Sequence, residues 1–308
     1  MAPHIYPDLV KKAIENLSKE NSYKSVCHRH YKDHIMPSGQ VLVKIVDLTR
    51  EILFPGYFGD SSIRPESIRY YIGVNTEKLY ELLSEQIYAG LCFACESPEL
   101  FNFLERRNTA HEYAARFISH LPEIRRVLAT DVEAAFLGDP AAQSKGEVIF
   151  CYPAVRAITN YRIAHCLLKI GVPLIPRMIG EMAHSETGID IHPSATIGNY
   201  FTIDHGTGVV IGATSIIGSN VKLYQGVTLG AKSFPLDDKG NPIKGVPRHP
   251  IIEDNVIIYA QATILGRIVV GANSVIGGNV WVTNDVPGNS KIVQSKPRDS
   301  YYAEGGGI

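Results

Sequence analysis

The chain has 308 residues, with 30 Lys plus Arg against 31 Asp plus Glu and a formal charge of −1. That balance leaves no electrostatic footprint for nucleic acid or an anionic membrane surface, and no apolar run approaches the ~18 residues a membrane span needs. Five cysteines, an odd number, and no apolar leader in MAPHIYPDLVKK argue against a disulfide framework and for a reducing cytoplasm.

In chain order, helix-period stretches come first. One opens at Pro7-Asp8 and runs through Leu9, Ala13, Ile14 and Leu17. The next runs from Val41 to Ile52 and stops near Pro55, and a third carries Leu79, Leu82, Leu83 and Ile87 after Glu77. Ser97-Pro98-Glu99 reads as a further helix start leading into Leu104, Tyr113, Phe117 and Ile118, and residues 121–136 and 155–170 continue the pattern. Only 7 of the 27 glycines fall in the first 150 residues. The expectation is an N-terminal helical domain over residues 1–183.

The period then changes. From Ile191 an aliphatic residue recurs every six positions, at Ile191, Ile197, Ile203 and Val209. After a two-residue phase slip it recurs at Ile211, Ile217, Leu223 and Leu229, and after a gap at Ile252, Ile258, Ile264, Val270, Ile276 and Val282. Glycine commonly follows it, and small residues such as Ala195 and Ala262 recur four positions on. Neither a 3.6-residue nor a two-residue period does this, whereas a three-sided parallel β-helix does, with one short strand and one corner per hexad. The expected fold class is α+β: an all-α N-terminal domain, then a left-handed parallel β-helix of hexapeptide repeats over 184–290, then a tail over 291–308.

Between Leu229 and Ile252 the series misses 17 residues beyond one hexad step, so a long loop, 231–250, leaves the coil and ends in Arg248-His249 between two prolines. A loop of this length is either functional or a tolerated surface insertion. Two acid–histidine pairs lie in the first coils, Asp190 with His192 and Asp204 with His205. Asp190 and His205 are 15 residues apart, close to one coil, so they can sit on adjacent coils separated by about one strand spacing of ~4.8 Å. Either they are solvated corner residues, or the carboxylate binds one imidazole nitrogen and leaves the other as a proton acceptor.

The segments G-I-D-I-H-P (188–193), I-D-H-G-T-G-V-V-I-G (203–212), Y-Q-G-V-T-L-G (224–230) and R-H-P (248–250), with G-D-P-A-A (138–142) upstream, resemble serine O-acetyltransferases of the hexapeptide-repeat acyltransferase superfamily. The resemblance is firm over residues 130–297. It implies transfer of acetyl from acetyl-CoA to the hydroxyl of L-serine, with His205 as general base and Asp190 orienting it. Arg248 would pair with the serine carboxylate, Asp139 and Asp204 would receive its ammonium, and His249 would help close the site. Without the resemblance, Asp139 reads as a helix N-cap with Pro140 at the first helical position. Acetyl-CoA, the only co-substrate, would lie in a groove between subunits near Gly230, Ala231, Ala260, Ala262 and Gly278, positions where hexad corners favour small residues in any case. The resemblance further implies a homotrimer or a dimer of trimers, L-cysteine as feedback inhibitor, and O-acetylserine sulfhydrylase as a partner docking through the terminal Ile308. The chain departs from the commonest pattern at Leu229-Gly230-Ala231, where Leu-Gly-Gly and a shorter loop are usual.

No metal is expected. Cys27-His28-Arg29-His30 and Cys92-Phe93-Ala94-Cys95 lie far apart and lack a second CxxC, and His111 and His120 read as surface or packing residues. Rival functions are an acetyltransferase for another small acceptor, a γ-type carbonic anhydrase drawing zinc ligands from His184, His192, His205 and His249, and a non-catalytic scaffold for the sulfhydrylase.

Overall fold

The computed structural model describes residues 5–28, 35–60, 62–95 and 102–295. Ile308, Ser97-Pro98-Glu99 and Arg29-His30 lie outside the described residues. Among the described residues eight helices come first: α1 (Ile5–Leu17), α2 (Glu20–Tyr23), α3 (Gly39–Leu53), α4 (Ile68–Phe93), α5 (Phe103–Gly138), α6 (Lys145–Cys151), α7 (Pro153–Ile170) and α8 (Ile175–Thr187). Caps set several of the boundaries. Ser38, Asn102 and Ser144 each accept a backbone N–H of the first turn of α3, α5 and α6, while Gly171 and Gly188 close α7 and α8 in the left-handed conformation. The segments expected on either side of Pro122 form one helix of 36 residues, α5, which carries that proline in its interior. Among the described residues no helix is long and apolar enough to cross a membrane.

From Asp190 the chain winds into a parallel β-helix of three flat sheets. The first holds β1 (Asp190–Ile191), β4 (Val210–Ile211), β7 (Thr228–Gly230), β10 (Thr263–Leu265) and β13 (Trp281–Val282). The second holds β2 (Thr196–Ile197), β5 (Ile216–Ile217), β8 (Ile251–Ile252) and β11 (Val269–Val270). The third holds β3 (Thr202–Asp204), β6 (Lys222–Tyr224), β9 (Ile257–Ile258), β12 (Val275–Ile276) and β14 (Lys291–Ile292). Register explains the hexads. Ile191, Ile211, Leu229, Ile264 and Val282 stack in one column, and Ile203, Leu223, Ile258 and Ile276 in another, all of them buried. Each such side chain adds roughly 1.5–3 kcal/mol through burial, and none of them pairs with its own sequence neighbour. Between the second and third sheets the chain turns through Asn220, Asn255, Asn273 and Asn289, all near φ +58 and linked in a ladder of side-chain amide bonds of 2.8–3.2 Å. Asparagine tolerates that left-handed conformation better than most residues.

The helices close the bottom of this prism. Tyr161 donates its hydroxyl to the carbonyl of Ala195, and the Arg162 guanidinium donates to the carbonyls of Ile197 and Gly198. Arg162 also pairs with Asp131, and Asp131 and Thr130 accept the backbone N–H groups of Phe201 and Tyr200. Both members of the Arg162–Asp131 pair are almost fully buried, and burial pushes the Asp131 carboxyl up against the opposing pull of the guanidinium.

Candidate active site

Asp190 pairs with Val210 and Val210 with Thr228, so the first coil takes 20 residues and the second takes 18. The two extra residues can be located. Asp204 pairs with Tyr224, while the next rung between the two coils is Gly226 N–H donating to the carbonyl of Thr207. His205 and Gly206 between them have no counterpart in the coil above. They form a bulge on the edge between the third and first sheets. Gly206, at φ +98, turns back towards the core, where an added Cβ would meet Ile189 and Ile203. His205, at φ +57, points outward with 78% of its side chain exposed, and its Nε2 lies 3.8 Å from Asp204 Oδ1. The phase slip in the sequence is therefore the device that presents an imidazole.

Asp190 opens β1, and Gly188 before it packs against Thr207 and Gly208 of the bulged coil. Its carboxylate clusters with Glu181 and His184 of α8, all three within 4.8 Å of one another. Glu181 also pairs with Arg177, and His184 Nδ1 lies 3.3 Å from the other Glu181 carboxylate oxygen.

Asp139 differs from the N-cap reading. It follows α5, and one oxygen accepts the Ala141 N–H at 2.8 Å while the other accepts the Tyr152 hydroxyl at 2.5 Å. Ser144 caps α6 instead. The tyrosine hydrogen bond, then the backbone one, hold the Asp139 carboxyl below its ordinary range, and the same bond pushes Tyr152 up to about 12. Lys222 joins this turn to the β-helix: its ammonium donates to the carbonyl of Gly138 at 2.7 Å and lies 3.0 Å from Asp204 Oδ2. Asp139 and Asp204 are thus brought to one place from segments about 65 positions apart.

Arg248 and His249 lie on a different edge, between the first and second sheets, where the long loop rejoins the coil. Thr214 organises them. Its hydroxyl oxygen accepts the N–H of Arg248 at 2.9 Å and of His249 at 3.1 Å, and its own N–H donates to His249 Nδ1 at 3.1 Å. An Nδ1 that accepts from a backbone N–H leaves the ring neutral with its proton on Nε2. Burial, with Arg248, His192 and Arg267 nearby, lowers His249 to about 4. His192 on the same edge is also lowered, by burial and Arg177.

Of the small residues expected near acetyl-CoA, Gly230 and Ala231 lie on the edge of Arg248, and Ala260 and Gly278 stack on the edge of His205. Ala262 is fully buried, its N–H donating to the Tyr259 carbonyl and its carbonyl accepting the Thr228 N–H of the neighbouring coil, so it serves the core. Sequence reasoning did not single out Lys222, Tyr152 or Thr214, nor the stacked pair Tyr224–Tyr259, whose centroids lie 4.9 Å apart. A lysine flanked by aliphatic hexad residues was the one available signal.

Residues 249–284 match the family described as Bacterial transferase hexapeptide (six repeats), which places the β-helix among the hexapeptide-repeat transferases. A plasmid serine acetyltransferase of Synechococcus elongatus is 51% identical over 276 residues, 89% of this chain and 86% of its own. Serine acetyltransferase isoform 3 of Entamoeba histolytica, solved in complex with cysteine, superposes with a TM-score of 0.71 at 32% identity, covering 96% of this chain and 93% of that one. The Neisseria gonorrhoeae serine acetyltransferase, solved in complex with serine, gives 0.54 at 26% identity, covering 82% and 97%. The chain belongs to the serine acetyltransferase family, which makes it an acyltransferase enzyme.

Proposed function

We propose that the protein transfers acetyl from acetyl-CoA to the hydroxyl of L-serine, giving O-acetylserine and coenzyme A, a first step toward cysteine. The observation that carries this reading is the outward His205 on its bulge beside Asp204, within reach of the turn that holds Asp139. His205 takes the hydroxyl proton as the serine oxygen attacks the thioester carbonyl. The C–S bond of the tetrahedral species then breaks, and the departing thiolate recovers the proton. Asp190 orients the imidazole and stabilises its cation. Asp139 and Asp204 receive the ammonium, and Arg248 takes the carboxylate with two parallel bonds. His249, fixed as an Nε2–H donor, closes the site from the same edge.

Within one chain His205 and Arg248 stand on different edges of the prism. A serine held by both calls for the edge of one copy to face the other edge of the next, which supports a homotrimer. Gly230 and Ala231 on one edge and Ala260 and Gly278 on the other then line a common groove for acetyl-CoA. L-Cysteine, which shares the ammonium and carboxylate of serine, fits the same clamps as an inhibitor. Ile308 is the proposed anchor for O-acetylserine sulfhydrylase.

Release of coenzyme A thiol from acetyl-CoA, with and without L-serine, tests the reading. Serine-dependent release by the wild type that is lost in His205→Ala supports it; equal release by both removes His205 as the base, and no release with serine removes the acceptor.

A further inference from the structure

Lys222 occupies a position where a hexad repeat normally points a polar side chain into water, yet only 16% of its side chain is exposed. Its ammonium has three partners. It lies 3.0 Å from Asp204 Oδ2, donates to the carbonyl of Gly138 at 2.7 Å, and stands 4.6 Å from the centroid of the Tyr224 ring. Gly138 is the last residue of the 36-residue α5, where unpaired carbonyls gather partial negative charge. Asp139 follows directly. One cation therefore pairs with Asp204 and holds the carbonyl just before Asp139, tying together the segments that carry the two carboxylates proposed for the substrate ammonium.

The charge balance has a chemical consequence. Asp139, Asp204 and Lys222 together carry one net negative charge, while Arg248 and Arg267 make the other edge positive. This pattern suits a zwitterion whose ammonium faces one edge and whose carboxylate faces the other. Without Lys222 the ammonium side would carry two negative charges, and would favour a plain cation over a zwitterion whose carboxylate it repels.

We propose that Lys222 is a positioning and specificity residue: it pins the end of α5, and with it Asp139, against Asp204, and makes the acceptor site select an amino acid over an amine. This inference rests on the acetyl-transfer reading and deepens it. What it adds is the residue that sets the preference for serine over 2-aminoethanol, which lacks the carboxylate.

The test compares L-serine with 2-aminoethanol in the wild type, Lys222→Met and Lys222→Arg, by coenzyme A release and by calorimetric binding without acetyl-CoA. In Lys222→Met the aminoethanol-to-serine ratio of kcat/KM is expected to rise roughly ten-fold or more, mainly because KM for serine rises. Lys222→Arg, which keeps the charge, should hold the wild-type ratio, and Lys222→Gln stands in should the methionine variant not fold. A role confined to stability would lower both substrates together and leave the ratio unchanged, and that result overturns the proposal while leaving the transferase reading intact. A wild type that neither binds serine nor releases coenzyme A with it overturns both.

Discussion

The imidazole of His249 fills the space that any side chain at Gly212 would need. A Cβ built at Gly212 would meet Cδ2 and Nε2 of that ring far closer than van der Waals contact allows. This glycine is required by a close approach and not by its backbone angles. Gly212→Ala should push the ring off its Thr214 bonds and lower kcat/KM for serine by about ten-fold or more, since small misplacements at a reacting site are costly. Far-ultraviolet circular dichroism should stay unchanged. Full activity in this variant would mean that the position of the His249 ring does not matter.

The bulge at His205 and Gly206 makes a second expectation unusual. Removing both residues would leave Asp204-Thr207-Gly208-Val209-Val210, which parallels Tyr224-Gln225-Gly226-Val227-Thr228 one coil above. The double deletion should fold with a thermal midpoint close to that of the wild type and show background coenzyme A release. His205→Ala should cost ~10²–10⁴ in rate, the usual contribution of a general base. An unfolded deletion variant would show that the two residues also serve the coil.

Acid should loosen the fold through its buried histidines. Folded His249 takes up a proton only near pH 4, whereas the unfolded side chain does so near 6.5. The unfolded state binds more protons between those values, so stability falls as pH drops through that window. His192 and His165, both lowered chiefly by burial, act in the same direction. Thermal scans between about pH 7 and about pH 4 should show a falling midpoint, with a shallower fall in His249→Asn. Equal slopes would place the acid sensitivity elsewhere.

Asp131→Asn keeps an acceptor for the Phe201 N–H but strips the buried Arg162 of its countercharge. Breaking a buried pair from one side costs ~3–5 kcal/mol. Chemical denaturation should show a loss of that size, and a loss below about 1 kcal/mol would mean the pair is already well solvated.

Much of this was legible because the β-helix repeats its rules locally. Each hexad announces its own inward residue, and a break in the count at 203–211 or at 229–252 marks a departure of the chain. The departures turned out to carry His205 and Arg248-His249. Lys222 was not legible, because its partners, Gly138 and Asp204, reach it from the end of a distant helix and from the coil below. Thr214 was hidden for the same reason: its hydroxyl acts on backbone more than 30 positions away. Read without the resemblance, Asp139-Pro140 is a helix-start signal, whereas here the acid caps a tight turn after one helix and Ser144 starts the next.

The bonds that Tyr161, Arg162, Thr130 and Asp131 make to residues 195–201 have a meaning for how the molecule is assembled. In any stack of repeats the first unit has nothing beneath it, and its backbone groups must be met by some other structure. Here the helices take the part of that missing unit and offer the first coil a ready-made floor. Later coils rest mainly on the one before them, with the Lys222 bond to Gly138 as a further tie to the helices. A solenoid cut free of its helices would lose the surface against which its first coil is held, so the N-terminal half is the foundation on which the β-helical half is laid down.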